Sequence, residues 1–456
     1  MPRRLELCWV TPMPPRRGTT AAQERWWALL ARLARRHAIT LVTFVDDGDE
    51  AAPAALPPGL AAVHRVRRAP FRPDDPLALL PRTVAGGFVD PALRAAVAAR
   101  LAARRFDLVQ YEFVEMARCM PPRPAAPAIL TVHQVGFAQE GPLWRATGRP
   151  LAHGAVLLHR WLRELDFELG AVGRADHVVT LSAEDAARLR RFHPDLAVSV
   201  SPMGVDCAEL RPPAAPVPPA ADLVFVGHFG HPPNADAVRF LVRDVLPRVG
   251  RRTTLRVVGH AIPPAVAALA SPDVTVVGPV PDVRPELAAA RVAVAPVRFG
   301  TGMRGKVLEA LGMGRPVVTT PVGAEGLGAV PGRDLLVADG AADFAAALRA
   351  LLDDPALAAR LGAGGRALAA ARFDWDVVAG AHDAIYERAL AGPRRAASAR
   401  GDAAALARVA RRFGRWPAIA AGTALLATRA LRWHLGRPRA RVRADGGGPA
   451  LAREAV

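Results

Sequence analysis

Lysine is almost missing from this 456-residue chain: of its 60 lysine and arginine side chains, all but Lys306 are arginine. Asparagine is as scarce, with Asn234 alone. In a chain so heavy in alanine, arginine and proline, this imbalance has the look of mutational bias. An arginine as such then carries little functional information, whereas a retained lysine asks for a reason. The three cysteines, Cys8, Cys119 and Cys207, lie far apart without a CxxC. That spacing suggests neither a disulfide framework nor a cysteine metal site and fits a reducing compartment. No uncharged run approaches the ~20 residues of a spanning helix. The opening "MPRRLELCWVTPMPP" has too short an apolar run for a secretory signal. The expected location is the cytoplasm, with attachment to the inner face of the membrane left open.

The formal net charge of +18 invites a nucleic-acid partner, but its distribution argues against one. Between Ala391 and Val456, fourteen arginines face only Asp402, Asp445 and Glu454. The body before them is mildly basic and holds no nucleic-acid motif of recognisable spacing, so nucleic acid is not expected among the partners. In the tail, Leu406, Val409, Phe413 and Trp416 recur at helical spacing among Arg408, Arg411, Arg412 and Arg415. This pattern suits a helix lying in an anionic membrane interface, and equally a disordered arginine-rich extension.

What the chain does have is rhythm. Short apolar runs such as "LELCWVTP", "ITLVTFV", "FDLVQYE", "APAILTVHQV" and "ADHVVTLS" alternate with helical patterns such as "AAQERWWALLARLARRH" and "AEDAARLRRF". This βαβ alternation predicts a parallel sheet with helices on both faces. "ELRPPAAPVPPAAD", residues 209–222, holds too much proline for a helix or a central strand and reads as an interdomain linker. The rhythm then restarts with strands "LVFVGHF", "TLRVVG", "VTVVGPV" and "VAVAPV" and helices "ADAVRFLVRDVLPRV", "PPAVAALA" and "RPELAAA". The expectation is two α/β Rossmann-like domains, 1–208 and 223–369. A closing helix over 370–392 and a basic tail over 393–456 follow. A ligand belongs in the cleft, at the C-terminal edges of the strands.

Lys306 stands in "PVRFGTGMRGKVLEALGMG". Gly300, Gly302 and Gly305 keep the loop backbone open, and a helix starts near Met303–Lys306. Amides at a helix start favour anions. Arg304 and Lys306 put two cations at that end, which an isolated helix disfavours; a bound anion resolves the conflict. Glu309, three residues on, shares roughly the face of Lys306. A cation for phosphate beside a carboxylate for sugar hydroxyls describes a nucleotide-sugar site. From spacing alone the stretch reads equally as a surface helix with a Lys–Glu pair.

The stretch resembles the donor-site signature of glycosyltransferase family 4, retaining enzymes of the GT-B fold. "LVFVGHFGHPPNADAVRFL" is similar to the first strand, loop and helix of that family's donor domain. "ADHVVTLSAEDAARL", "VSVSPMGVD" and "RFDWDVVAGAHDAIYERAL" resemble the end of its acceptor domain and its closing helix. The resemblance implies that Glu309, the second Glu of an E-x7-E motif, holds the donor ribose. The first Glu of that motif falls on Thr301, a departure that leaves the sugar open. The chain follows a G-T-G-x-x-x-K-x-x-E pattern over Gly300–Glu309, in which Lys306 meets the diphosphate, with Gly302 in the loop and Val307 and Leu308 approaching through their backbones. Gly227 and His228 match the glycine loop of the donor domain. Many relatives carry an Arg and a Lys there. Here His228, His231 and Asn234 stand instead, which leaves Arg304 and Lys306 to supply the charge. Val280 matches a position whose backbone meets the base.

In the first domain, His133 in "ILTVHQV" resembles the family's cleft histidine, which contacts the donor sugar. One of twelve histidines, it reads from sequence alone as readily as a packed side chain. Gly18 matches the glycine loop of the acceptor side. Glu112 in "VQYEF" is a further cleft candidate or a solvated strand-end carboxylate. Trp26 and Trp27 read as packing or acceptor contacts, and Asp206 and Cys207 as structural.

The resemblance implies transfer of a sugar with retention, from a nucleotide-diphosphate-sugar to a glycan or lipid-linked acceptor in cell-surface polysaccharide assembly. No cofactor and no metal are expected: no Asp-x-Asp signature stands at the donor site, and "DDGDE" and "RPDDP" read as loops. Two alternatives stay open, a nucleotide-sugar epimerase of the same fold and a non-catalytic nucleotide-sugar-binding subunit.

Overall fold

A strand covered on both faces reads as an unbroken apolar run rather than an alternation. "AITLVTFV", β2 (Ala38–Val45), is buried along its whole length. A computed structural model describes residues 3–46, 56–67, 91–121, 124–138, 164–165, 167–215, 217–300 and 302–394. The chain divides into a compact unit, Met1–Ala399, and a second, Arg400–Val456, which lies outside the described residues together with the tail features read from sequence.

The first sheet contains β1 (Glu6–Thr11), β2, β3 (Ala62–Arg67), β4 (Leu108–Glu112), β5 (Ala128–Val132), β6 (His177–Thr180) and β7 (Val198–Val200). Its order is β3-β2-β1-β4-β5-β6-β7, and every pair is parallel. Helices α1 (Ala21–Leu33), α2 (Pro91–Ala103) and α3 (Ala183–Arg190) belong to this half. The second sheet has β8 (Ala221–Val226), β9 (Leu255–Val258), β10 (Val274–Gly278), β11 (Ala290–Ala295), β12 (Val317–Thr319) and β13 (Leu336–Val337). Its order, β10-β9-β8-β11-β12-β13, is again wholly parallel. With it go α4 (Pro232–Phe240), α5 (Pro264–Ala267), α6 (Arg284–Ala288), α7 (Gly305–Gly312), α8 (Ala341–Asp353) and α9 (Pro355–Arg372). Each sheet reverses its strand order once, between β1 and β4 in the first and between β8 and β11 in the second. Such reversal points open a crevice at the strand C-termini.

Two expectations shift. β8 begins at Ala221, inside the stretch read as linker, because Ala221 already pairs with Ala290. The helix read over "ADAVRFLVRDVLPRV" is α-helical only as Pro232–Phe240. It starts earlier because proline suits a first helical turn, where its missing N–H has no partner to lose.

The halves are joined at two adjacent crossings. Val205 N donates to Phe373 O at 2.7 Å and Trp375 N to Val205 O at 3.2 Å. Gly204 is required there, since a Cβ would lie 2.3 Å from the Trp375 ring. Arg366 donates to the carbonyls of Cys207, Leu210 and Gly312, tying the linker to α7. After the second crossing, α10 (Trp375–Ala391) lies on the first half. Arg32 pairs with Asp376 at 2.7 Å and His37 Nε2 meets Asp383 at 2.9 Å. Among the described residues no helix is long and apolar enough to cross a membrane.

Candidate active site

On the donor side the loop after β8 and the start of α7 meet. Helix α7 buries Val307, Leu308, Ala310, Leu311 and Gly312 in the core, and this sets its rotation. Lys306 and Glu309 are thereby left partly buried on the other side. Lys306 Nζ donates to Asn234 Oδ1 at 2.5 Å and lies 4.1 Å from the centre of the Phe225 ring, a cation–π contact. Asn234 Nδ2 in turn donates to His228 O at 2.7 Å. Gly227 makes room for this group: a Cβ there would lie 3.0 Å from Lys306 Nζ and 3.1 Å from Asn234 Cγ. Burial, and then the Arg304 charge, push the Lys306 ammonium down to about 7, against the opposing pull of Glu309. Burial raises the Glu309 carboxyl, and Lys306 opposes that shift.

The corner is electropositive. Arg304 is buried, at 8% exposure, and burial depresses it while Glu325 and Asp185 hold it up. His231 is lowered by burial and then by the charges of Arg304, Lys306 and His228. His228 is exposed, accepts from Gly230 N through Nδ1 at 3.2 Å and stacks on His260. The amides of Val307 and Leu308 both go to Arg304 O, at 3.0 and 3.4 Å. Those two amides are therefore engaged within the first turn of the helix. In a helix starting at Gly305, the open first-turn amides are those of Gly305 and Lys306. Val280 packs partly buried against the core after β10. Thr301 lies outside the described residues.

On the first-domain side, His133 follows β5. Its Nε2 lies 2.8 Å from Glu112 Oε2, and burial lowers the imidazole's pKa against the opposing pull of that carboxylate. Glu112 is fully buried and is neither a solvated strand-end carboxylate nor an acceptor contact. It receives Trp26 Nε1–H at 2.8 Å, Gln110 Nε2–H at 2.6 Å and Thr131 Oγ1–H at 2.9 Å. Burial alone would raise its pKa. The hydrogen bond and charge of His133, the Arg25 guanidinium and Gln110 outweigh burial and hold the carboxyl at about 2. Trp26 is thus a buried donor to that carboxylate, and Trp27 lies under the Arg17 guanidinium. Gly18, at φ +67°, is exposed after β1 and donates its amide to Glu24 Oε2 at 2.8 Å. Asp206 Oδ1 accepts from the amides of Ala208 and Glu209, a turn-forming role.

The two sides face each other. Gly302, at φ +82°, sits against the first half, where a Cβ would lie 3.4 Å from His133 O. Met203 N approaches Met303 S at 3.3 Å, and Arg188 of α3 pairs with Glu325. The structure sets Gly302 against His133, groups Arg304, Lys306 and Glu309 around the start of α7, and keeps Val307 and Leu308 in the core. Sequence reasoning missed Gln110, Arg25 and Tyr386, and missed Asn234 as the partner of Lys306. Gln110 and Glu112 stand at i and i+2, on one face of β4. That spacing was a readable sign of a shared polar network.

Two parallel α/β halves closed by a returning helix, with a cationic helix start facing a histidine across the cleft, define a GT-B glycosyltransferase architecture. The pattern "Glycosyltransferase Family 4" matches residues 22–209, and "Glycosyl transferases group 1" matches residues 220–354. Together the two matches span most of the chain, which is of the family 4 glycosyltransferase type. It is 32% identical over 264 residues to a D-inositol 3-phosphate glycosyltransferase of Streptomyces bingchenggensis, a match spanning 50% of this chain and 56% of that one. Among solved structures it is similar to a sucrose-phosphate synthase from Thermosynechococcus elongatus, with TM-score 0.65 and 19% identity over 85% of this chain and 100% of that one. It is also similar to Anabaena HepE in complex with UDP and glucose, with TM-score 0.61 and 15% identity over 84% of this chain and 100% of that one.

Proposed function

We propose that the protein transfers a sugar from a nucleotide-diphosphate-sugar to a hydroxyl of a glycan or lipid-linked acceptor, with retention of configuration, in cell-surface polysaccharide assembly. The observation that carries the donor reading is the convergence of Lys306, Arg304 and the open first-turn amides of α7 at the cleft. A diphosphate there meets two cations and a helix start. Glu309 accepts from the ribose hydroxyls. As the sugar–oxygen bond breaks, negative charge builds on the departing diphosphate. A preorganised ammonium and guanidinium stabilise that charge more than they stabilise the ground state, so positioned side chains take the part a metal plays elsewhere. His133 is held at the reacting sugar. With no side chain among the described residues evident as a nucleophile, the incoming hydroxyl attacks from the face that the leaving group vacates. The basic tail serves as an interfacial contact that keeps the enzyme beside a lipid-linked acceptor. Binding of UDP and glucose by HepE and the inositol phosphate in the name of the Streptomyces relative are compatible with this chemistry.

The experiment is a thermal-shift screen of UDP-, GDP- and ADP-sugars, since a ligand that binds only the folded state raises apparent stability. Product analysis with the labelled donor that stabilises most follows. Transfer to an acceptor supports the reading, an isomerised donor means an epimerase, and binding without turnover across an acceptor panel means a binding subunit.

A further inference from the structure

The Glu112 carboxylate is surrounded by donors alone. Trp26 Nε1–H and His133 Nε2 meet Oε2, both at 2.8 Å, and Gln110 Nε2–H and Thr131 Oγ1–H meet Oε1, at 2.6 and 2.9 Å. An ionised carboxylate offers about four lone-pair sites and no proton, so this shell matches it and nothing else of its size. Indole N–H cannot accept. Gln110 turns its amide nitrogen toward the carboxylate, since its oxygen there would oppose Oε1, and Tyr386 O–H then donates to Gln110 Oε1 at 2.9 Å on the other side. Burial of the charge is balanced by Arg25, itself fully buried and bound to Pro202 O and Ser201 Oγ at 2.6 and 2.9 Å. With three of the four contacts fixed as donors, the fourth, from His133, is most stable as Nε2–H donating. The 3.3 Å between Trp26 Nε1 and His133 Nε2 is then the approach of two donors aimed at one oxygen, not a bond between them.

We propose that Glu112 is a positioning residue for His133: it selects the Nε2–H tautomer, leaving Nδ1 as a hydrogen-bond acceptor. Tyr386, on the returning helix α10, sets Glu112's donor shell through Gln110. This rests on the reading of His133 as the cleft histidine. It adds that His133 meets the substrate as an acceptor of a hydroxyl proton, and that the last helix of the chain belongs to the active-site support.

The test uses the full-length protein with 15N-labelled histidine. Long-range proton–nitrogen spectra report which ring nitrogen bears hydrogen, and His133→Ala identifies the signal. Wild type is expected to show Nε2–H. In Glu112→Gln the side-chain amide brings its own N–H donors into a shell of donors, and the simplest repair moves the imidazole proton to Nδ1. The tautomer is expected to invert, with kcat for the donor chosen by the thermal screen falling at least about 10²-fold and KM changing little. A wrong imidazole tautomer costs that order or more in other enzymes. Tyr386→Phe, which removes one O–H, is the milder variant should Glu112→Gln fold poorly. It frees the Gln110 amide and is expected to give mixed tautomers and a smaller fall in kcat. An Nδ1–H wild type, or an unchanged tautomer in both folded variants, overturns the proposal. An inverted tautomer together with full turnover by His133→Ala overturns the catalytic reading beneath it.

Discussion

The chain's single lysine donates to its single asparagine: Lys306 Nζ lies 2.5 Å from Asn234 Oδ1, and the asparagine amide reaches back to His228 O. One neutral side chain thus holds the cation of α7 against the loop after β8 without neutralising it. A carboxylate in its place would compete with a phosphate for the ammonium. Asn234→Asp is expected to weaken nucleoside diphosphate binding about tenfold or more while leaving the fold intact. Titration calorimetry on the two proteins reads this, and equal affinities would remove Asn234 from the site.

Lys306→Met keeps the apolar stem and removes the charge. The expected loss is about 2–4 kcal/mol of transition-state stabilisation, as for removal of one preorganised electrostatic donor. Lys306→Arg recovers part of it, since a planar fork does not occupy an ammonium's place. A surface ion pair would instead cost at most about 1 kcal/mol of stability. Transfer kinetics on folded protein separate the two cases.

The Lys306 pKa, near 7, lies below the ordinary lysine value, so the charged form is the disfavoured one in the free protein. Its proton is present below about pH 7 and lost as pH rises through that value. Binding of a diphosphate above pH 7 must then restore it. Uptake of about one proton is expected at pH 8.5, read as the dependence of binding heat on buffer ionisation enthalpy and absent in Lys306→Met. Stability carries the opposite sign: as pH falls from the lysine range toward 7, the unfolded chain binds the proton better and the folded state loses ground.

Gly259 offers a purely steric test. A Cβ there would lie 1.7 Å from Gly227 O, and its φ of +149° is one that side-chain-bearing residues rarely adopt. Gly259→Ala is expected to destabilise the donor half by about 2–4 kcal/mol, seen as a lowered denaturation midpoint. A midpoint within error of wild type would mean that this backbone gives way easily.

Deletion after Gly392 tests the membrane reading of the tail. Donor binding is expected to be unchanged, and sedimentation with anionic liposomes reduced. The binding of the intact protein should weaken with salt. Equal sedimentation of both proteins would end that reading.

Alternation of apolar runs with helical patterns was legible because most of the strands are buried on both faces. β3, "AVHRVR", escaped notice because it lies at the sheet edge and shows polar side chains to solvent. Lys306 and Glu309 could be found by rarity and by i,i+3 spacing, a local relation. Their partners could not. Asn234 is 72 residues from Lys306, and Tyr386 is 276 from Gln110. Such pairs are created by sheet register and by the returning helix, and no local pattern encodes them. The same holds for Val307 and Leu308. A motif places them at the site, whereas the rotation that buries the apolar face of α7 takes their side chains to the core.

Helix Trp375–Ala391 belongs to the second half by chain order and to the first half by burial. Tyr386 and Ile385 lie in one core with Trp9, Trp26 and Leu29, and Asp383 completes the contacts of His37. A single cut in the proline-rich segment therefore cannot yield two self-sufficient pieces. The first would expose the Gln110 carbonyl and the underside of β1, and the second would carry a helix with no floor. Whole modules could be obtained only by grafting the last helix onto the first fragment, as in a permuted chain. The sequence of segments along the polypeptide and the partition of the molecule into parts are two different orders.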